Sequence, residues 1–313
     1  MGVKKFFEIL IRNVLSNLDG KKLCDLGKDV ALEDLAGELI GVDASTMIYQ
    51  SLLALQYVKS LTDSSGKPTG HINTIFNKVL MITAAGLEQV WIFDSPEPNE
   101  LKKRELEERA ERRAKATDEK QAFRMTSEHV KDIQNLLKYM GILYIVAPPG
   151  VEAEQYGAIL TQGDNPFCKY MMSGDSDVLM FGGNLLRPMT KRSATGKSKK
   201  TVYATYDIDA ILKEFNITRE QLVTMGVSMG SDFAPKTDRV GPSNVQTLLK
   251  RKKLVLTAEQ KIAHDYFMSD IEMQSADLVK NKYDRKGLIS FLAKRGFSED
   301  RIIKRIDTVY KKK

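Results

Sequence analysis

The sequence predicts an α/β fold, a mostly parallel central sheet flanked by helices, and three observations carry that reading. Short apolar runs end in an aspartate three times, at Asp43 in ELIGVDAS, Asp94 in EQVWIFDSPEP and Asp175 in KYMMSGDSDVLMF. Apolar runs that stop at Asp or Gly-Asp read as buried strands ending at a sheet edge. Helical stretches separate these runs, and no internal repeat or low-complexity linker interrupts the 313 residues. One compact unit with a sizeable core follows. In open α/β sheets the carboxyl edge of the strands is where ligands sit.

In chain order, residues 5–18 place Phe6, Ile9, Leu10 and Val14 on one face, predicting a first amphipathic helix. The strand at 38–45 is followed by a helix over 46–60 that carries Tyr49, a polar loop at 63–70 and a helix to 85. A second strand ends at Asp94 before a proline-rich break. Residues 101–124 are crowded with Glu, Arg and Lys, which by default is a solvated helix. Lys102, Arg109 and Arg113 would share a face there. A helix over 127–139 leads to the strand GILYIVAP, after which Glu152 and Glu154 sit at a helix start. Carboxylates are ordinary at that position because of the helix dipole.

Asp175 and Asp177, one residue apart at a strand end, repel each other and stay ionised most easily around a cation. A single strand-end Asp is usually a cap or turn former, whereas three favour a metal or catalytic edge. Lys191–Lys200 reads as a mobile basic loop and 207–215 as a helix. From Arg219, GSDFAPKTDRVGPSNVQTLLKRKK reads as two helices joined by a tight Gly- and Pro-rich turn. The Arg251–Lys253 run would lie at the end of the second helix. The remainder is expected to be helical with a basic tail.

The net charge is +7 and the pI about 9.1, which favours an anionic partner, nucleic acid being the commonest. Two cysteines make no framework, and a reducing intracellular setting is expected. Three scattered histidines argue against a His/Cys zinc site, so a metal would rest on carboxylates, which suit magnesium or manganese. No stretch approaches a bilayer span and no signal-peptide pattern opens the chain. A soluble protein that is not exported and binds no membrane is the expectation.

Eight segments then resemble, in register, the structure-specific 5′-nucleases of the flap endonuclease and XPG type. They are MGVKKFFEIL, VDASTMIYQ, VWIFDSPEP, LKKRELEERAERR, MGILYIVAPPGVEAE, SGDSDVLMF, MGSDFAPKTDRVGPSNVQTLL and FSEDRI, the last being most similar to the flap endonuclease branch. The resemblance implies a PIN-like 5′-nuclease fold with a helical arch and a helix–two-turns–helix. Its single nuclease domain spans 1–313: an N-terminal region 1–100, a basic helical gateway and short cap 101–126, an internal region 127–225, the helix–two-turns–helix 226–256 and a helical region 257–313.

The resemblance also implies a two-metal site for magnesium, with manganese able to substitute. Asp43, Asp94, Glu152 and Glu154 would serve mainly one cation; Asp175, Asp177 and Asp232 mainly the other. Read from the sequence alone, Asp232 in GSD is a turn residue. Lys102 and Arg109 match the catalytic basic pair of the gateway, and Arg113 adds a phosphate contact. Tyr49 matches an aromatic that stacks on a base, where the plain alternative is a core residue beside Ile48. Gly2 matches a small residue near the site, and Gly230 to Gly241 spans the turn that grips duplex DNA, with a potassium ion as a further expectation. Setting seven carboxylates aside doubles the positive surplus of the remaining body.

The implied activity is hydrolysis of flapped, branched or nicked DNA, with a 5′–3′ exonuclease component, in replication and repair, by a monomer; in a eukaryote it would be nuclear. The segment between Arg113 and Met125 is shorter than the cap of many members, and APPGVEAE resembles the bacterial and phage enzymes. RVGPSN lacks the lysine often found after Gly-Pro, and no sliding-clamp motif is visible, so clamp binding is not implied. Two other readings stay open: a metal-dependent DxD phosphatase, and a junction binder without activity.

Overall fold

In the computed structural model, residues 27–55, 61–115, 125–192, 199–241, 243–271, 278–279 and 281–310 are described. The helix expected over 5–18 and Gly2 lie outside them. Among the described residues eight strands form one sheet: β1 (Lys28–Val30), β2 (Leu39–Asp43), β3 (Glu88–Phe93), β4 (Leu143–Val146), β5 (Tyr170–Met172), β6 (Leu185–Arg192), β7 (Lys199–Tyr206) and β8 (Leu278–Val279). Their order is β1-β7-β6-β5-β2-β3-β4-β8. β2 pairs in parallel with β3 and β5, and β4 and β6 extend the parallel set outward. The flanks are antiparallel: β7 on β6, β1 on β7 and β8 on β4. The sheet is therefore mixed, with the parallel pairing at its centre.

From β2 the chain steps outward through β3 to β4, then crosses back to β5 on the other side of β2. The order reverses between β2 and β5, which opens a crevice beyond the carboxyl ends of those strands. Central strands are covered on both faces and so read as continuous apolar runs. Ile40, Val42, Trp91, Phe93 and Met172 face one core; Val90, Ile92, Met171 and Leu185 face the other. The first core is closed by α1 (Ala44–Leu55), α2 (Gly70–Ala84), α4 (Ser127–Met140), α11 (Arg285–Ala293) and α12 (Glu299–Tyr310). The second is closed by α5 (Ala153–Ile159), α6 (Asp177–Met180), α7 (Ile208–Phe215), α8 (Arg219–Met229) and α10 (Ala258–Met268). α3 (Lys103–Ala114) buries no residue.

Local chemistry sets these elements. Trp91 is fully buried, and its indole N–H donates to Gln89 Oε1 (2.9 Å), so burial leaves no polar orphan. Thr126 and His129 form a reciprocal cap on α4, the Thr126 N–H donating to His129 Nδ1 (3.1 Å). That helix stops at Gly141, at φ 70°, where a Cβ would meet the Tyr283 backbone nitrogen at 2.6 Å.

Two expectations are corrected. Lys191–Lys200 is not simply a loop: Lys191 pairs with Lys200 and Arg192 with Lys199, continuing the β6–β7 ladder, while 193–198 lie outside the described residues. Main-chain hydrogen bonds extend a hairpin without apolar side chains, so no periodicity announced it. The region after 257 is not wholly helical, because Leu278 and Val279 pair with Ile145 and Tyr144 at the edge of β4. Among the described residues no helix is long and apolar enough to cross a membrane.

Asp132 ties the helices of the first core together. Its carboxylate accepts from Arg295 Nη2 (2.8 Å) and faces His71 Nε2 (3.4 Å) and Lys67 Nζ (3.9 Å). Burial raises its pKa, but the His71 and Arg295 contacts outweigh that and lower it from 3.8 to about 2. A carboxylate with a depressed pKa contributes stability above its unfolded value and loses it as pH falls through the folded one. We expect Asp132→Asn to lower unfolding free energy by about 2 kcal/mol at pH 7. In urea titrations the gap from the parent protein should close between about pH 4 and pH 2; an unchanged gap would contradict this account.

Candidate active site

Asp43 ends β2 at the crevice and is fully buried. Its Oδ1 accepts the Thr46 N–H (2.8 Å), the helix-cap role open to any strand-end Asp. Its Oδ2 accepts the Ser173 hydroxyl (2.7 Å) from the end of β5. Burial, then the charge of Asp94, push its pKa up to about 6 despite those donors. Asp94 follows β3 and is exposed; its Oδ1 accepts the Ala153 N–H (2.9 Å) at the start of α5. The strand-end Asp thus caps a helix belonging to the neighbouring strand connection.

Glu152 is the N-cap residue of α5 and Glu154 lies in its first turn. Burial raises the pKa of Glu152 to about 7; Lys102 opposes this, and Asp94 and Asp232 add to it. Glu154 is raised well above its ordinary value, first by burial and then by Asp43, Asp94 and Glu152. Asp175 Oδ1 accepts the N–H groups of Ser176 (2.7 Å) and Asp177 (3.3 Å). Asp177 is buried and raised well above its ordinary value by burial, then by Asp175 and Asp232. Its Oδ1 is buried with no hydrogen-bond partner among the described residues. The seven acids named from the sequence therefore form one connected electrostatic group.

Two cations from the arch enter this group. Lys102, in a 3-10 turn before α3, places Nζ 2.5 Å from Glu152 Oε2. Burial works against its charge, but Glu152, Glu154 and Asp232 raise its pKa on balance. Arg109, on α3, donates to Asp232 Oδ2 (2.5 Å) and to Glu105 Oε1 (2.7 Å). Arg113 lies one turn beyond Arg109 and is partly exposed. Lys102 stands in the turn that runs directly into the α-helix, and it and Arg109 reach the same group of carboxylates.

Tyr49 is 43% exposed while Ile48 beside it is fully buried, so Tyr49 is not a core residue. Gly230, at φ 97°, ends α8, and a Cβ there would meet the Lys236 backbone at 3.2 Å. The following turn leads to α9 (Val245–Lys250), and Arg251 to Lys253 lie beyond that helix. The Gly241 N–H donates to Asn244 Oδ1 (2.8 Å), so it is engaged within the turn and not presented outward.

Three participants were not read from the sequence. Ser173 links Asp43 to the Asp175 N–H (3.0 Å), and a small hydroxyl residue before GDSD was its only signal. Asn99 accepts the Leu101 N–H (2.9 Å) and donates to the Gly150 carbonyl (2.7 Å), tying the Lys102 turn to the loop before Glu152. Phe233 puts its ring 5.1 Å from Lys102 Nζ.

Among the described residues, no three of these carboxylates close on one point at ligand distance; Lys102 and Arg109 reach in instead. The donor set nonetheless fits hard divalent cations. Every donor is a carboxylate oxygen, several are pushed up by burial and then by mutual repulsion, and Asp177 Oδ1 has no partner among the described residues.

Comparison with known proteins points to one family. Residues 1–116 match the XPG N-terminal domain and residues 141–232 the XPG I-region. The first match includes Asp43, Asp94, Lys102 and Arg109, and the second includes the other five acids. The chain is 31% identical over 312 residues to flap endonuclease 1 of Thermococcus onnurineus, covering 88% of this chain and 89% of that one. Flap endonuclease-1 from Methanococcus jannaschii superposes with a TM-score of 0.72 at 21% identity, covering 91% of this chain and 95% of that one. The catalytic core of Rad2 in complex with DNA substrate superposes at 0.68 and 21% identity, covering 95% and 100%.

Proposed function

Because the chain belongs to the flap endonuclease family of XPG-type structure-specific 5′-nucleases, a family of metal-dependent nucleases, we propose that it is a magnesium-dependent enzyme cutting flapped or branched DNA. The observation that carries this reading is the convergence of seven carboxylates and two arch cations at the switch point of the sheet. Asp43, Asp94, Glu152 and Glu154 would hold mainly one cation, and Asp175, Asp177 and Asp232 mainly the other, with manganese able to substitute. When bound, such cations supply charge neutralisation and an activated water for in-line displacement at phosphorus.

The protein's own groups do the rest. Lys102 and Arg109 stand beside the carboxylates, where they can neutralise charge that develops on the phosphate. Arg113 would meet a neighbouring phosphate, and the exposed ring of Tyr49 offers a face to a base. The turn from Gly230 to Gly241, between α8 and α9, would grip the duplex backbone, with potassium as a candidate ligand there. One chain carries every acid of the cluster, which supports action as a monomer.

The test is a 5′-labelled flap substrate incubated with magnesium, with and without chelator. We expect cutting near the junction and its loss on chelation. Binding without cutting would replace this reading with an inactive junction binder, and phosphate release from small monoesters would favour a DxD phosphatase.

A further inference from the structure

Asp232 and Phe233 are consecutive, and each holds one of the two arch cations. Asp232 accepts from Arg109, and the Phe233 ring lies 5.1 Å from the Lys102 ammonium. The Phe233 ring is itself fixed. Tyr266 packs tilted on it at 4.8 Å and Phe267 meets it edge-on at 5.2 Å. Tyr266 in turn meets Phe181 edge-on at 5.6 Å. Its backbone is held as well, the Phe233 N–H donating to Ser231 Oγ (3.2 Å) within the Ser231–Ala234 bridge.

Lys102 thus has two different kinds of attractor, carboxylates with Glu152 in direct contact and an aromatic face. A carboxylate competes for divalent cations and releases the ammonium when one binds. A ring has no lone pair with which to compete, and it attracts a poorly hydrated ammonium through its quadrupole. We propose that Phe233 is a positioning residue whose ring face keeps Lys102 at the reacting phosphate once Lys102 lets go of Glu152. This rests on Lys102 acting at that phosphate, as proposed above.

The experiment measures single-turnover flap cleavage, DNA affinity and melting temperature for the parent protein, Phe233→Leu, Phe233→Tyr, Lys102→Ala and the Lys102→Ala/Phe233→Leu pair. Phe233→Leu should slow cleavage roughly fivefold to tenfold at unchanged DNA affinity, and Phe233→Tyr should restore most of the rate. In the Lys102→Ala background the leucine should add less than about twofold, because the partner of the ring is already gone. A second readout needs no turnover. In the metal-free protein, the ring current of Phe233 should move the Lys102 ε-methylene proton resonance upfield. Phe233→Leu should abolish that shift, and saturating magnesium should leave it in place.

Equal slowing by leucine in both backgrounds, a tyrosine variant as slow as leucine, or loss of the upfield shift on adding magnesium would each overturn the inference. If Phe233→Leu does not fold, Phe233→Met replaces it under the same criteria. A Lys102→Ala protein as fast as the parent would instead refute the role given to Lys102, and the inference with it.

Discussion

Asp175→Ala is expected to reduce flap cleavage by about a thousandfold or more while leaving affinity for the same DNA within about threefold. The division follows from where the charges lie. Asp175 belongs to the acidic cluster, whereas on the proposed reading duplex affinity would rest on basic and backbone groups elsewhere. Alanine also removes the acceptor for the Ser176 and Asp177 N–H groups at the start of α6, a loss of about 1 kcal/mol of stability. Asp175→Asn keeps an acceptor oxygen there and removes only the charge. Both variants should be inactive, with the asparagine protein melting close to the parent. Cleavage rates, a DNA titration in the presence of chelator and a thermal melt separate the cases. Parallel loss of cleavage and binding would show that ligation and DNA grip are not divided in this way.

Lys102→Ala should slow cleavage by about a hundredfold to a thousandfold, mainly in the rate at saturating substrate. The ammonium is the cation nearest Glu152, whose pKa is already pushed up to about 7 by burial against the pull of Lys102. Removing Lys102 leaves Glu152 facing Asp94 and Asp232 without its own counter-charge. Lys102→Arg should not restore the rate, since a planar guanidinium cannot occupy the same point between Glu152 Oε2 and the Phe233 ring. Single-turnover kinetics at saturating enzyme give the answer, and a rate within about threefold of the parent would remove Lys102 from the reaction.

The centre of the sheet was legible because buried parallel strands leave an uninterrupted apolar signature and end abruptly at a charged residue, as at Asp43, Asp94 and Asp175. The three stand together because β5, β2 and β3 are adjacent, a fact of topology that no local window contains. Asp232 was invisible to residue-level reading: it sits in the turn after α8, and only the resemblance singled it out. The β6–β7 hairpin and β8 escaped because their pairing is set by main-chain bonding to neighbours already in place. Tyr49 shows the reverse limit. An aromatic beside Ile48 reads as core, yet the helix turns it outward, and only the fold distinguishes the two. Ser173, Asn99 and Phe233 have no distinctive spacing and gain importance solely from their neighbours.

Among the described residues the sheet ends on both sides in short strands, three residues in β1 and two in β8. Short terminal strands offer little open ladder to another molecule's backbone. Among the described residues, then, neither margin of the eight-stranded sheet presents a ladder long enough to template the growth of a second sheet upon it.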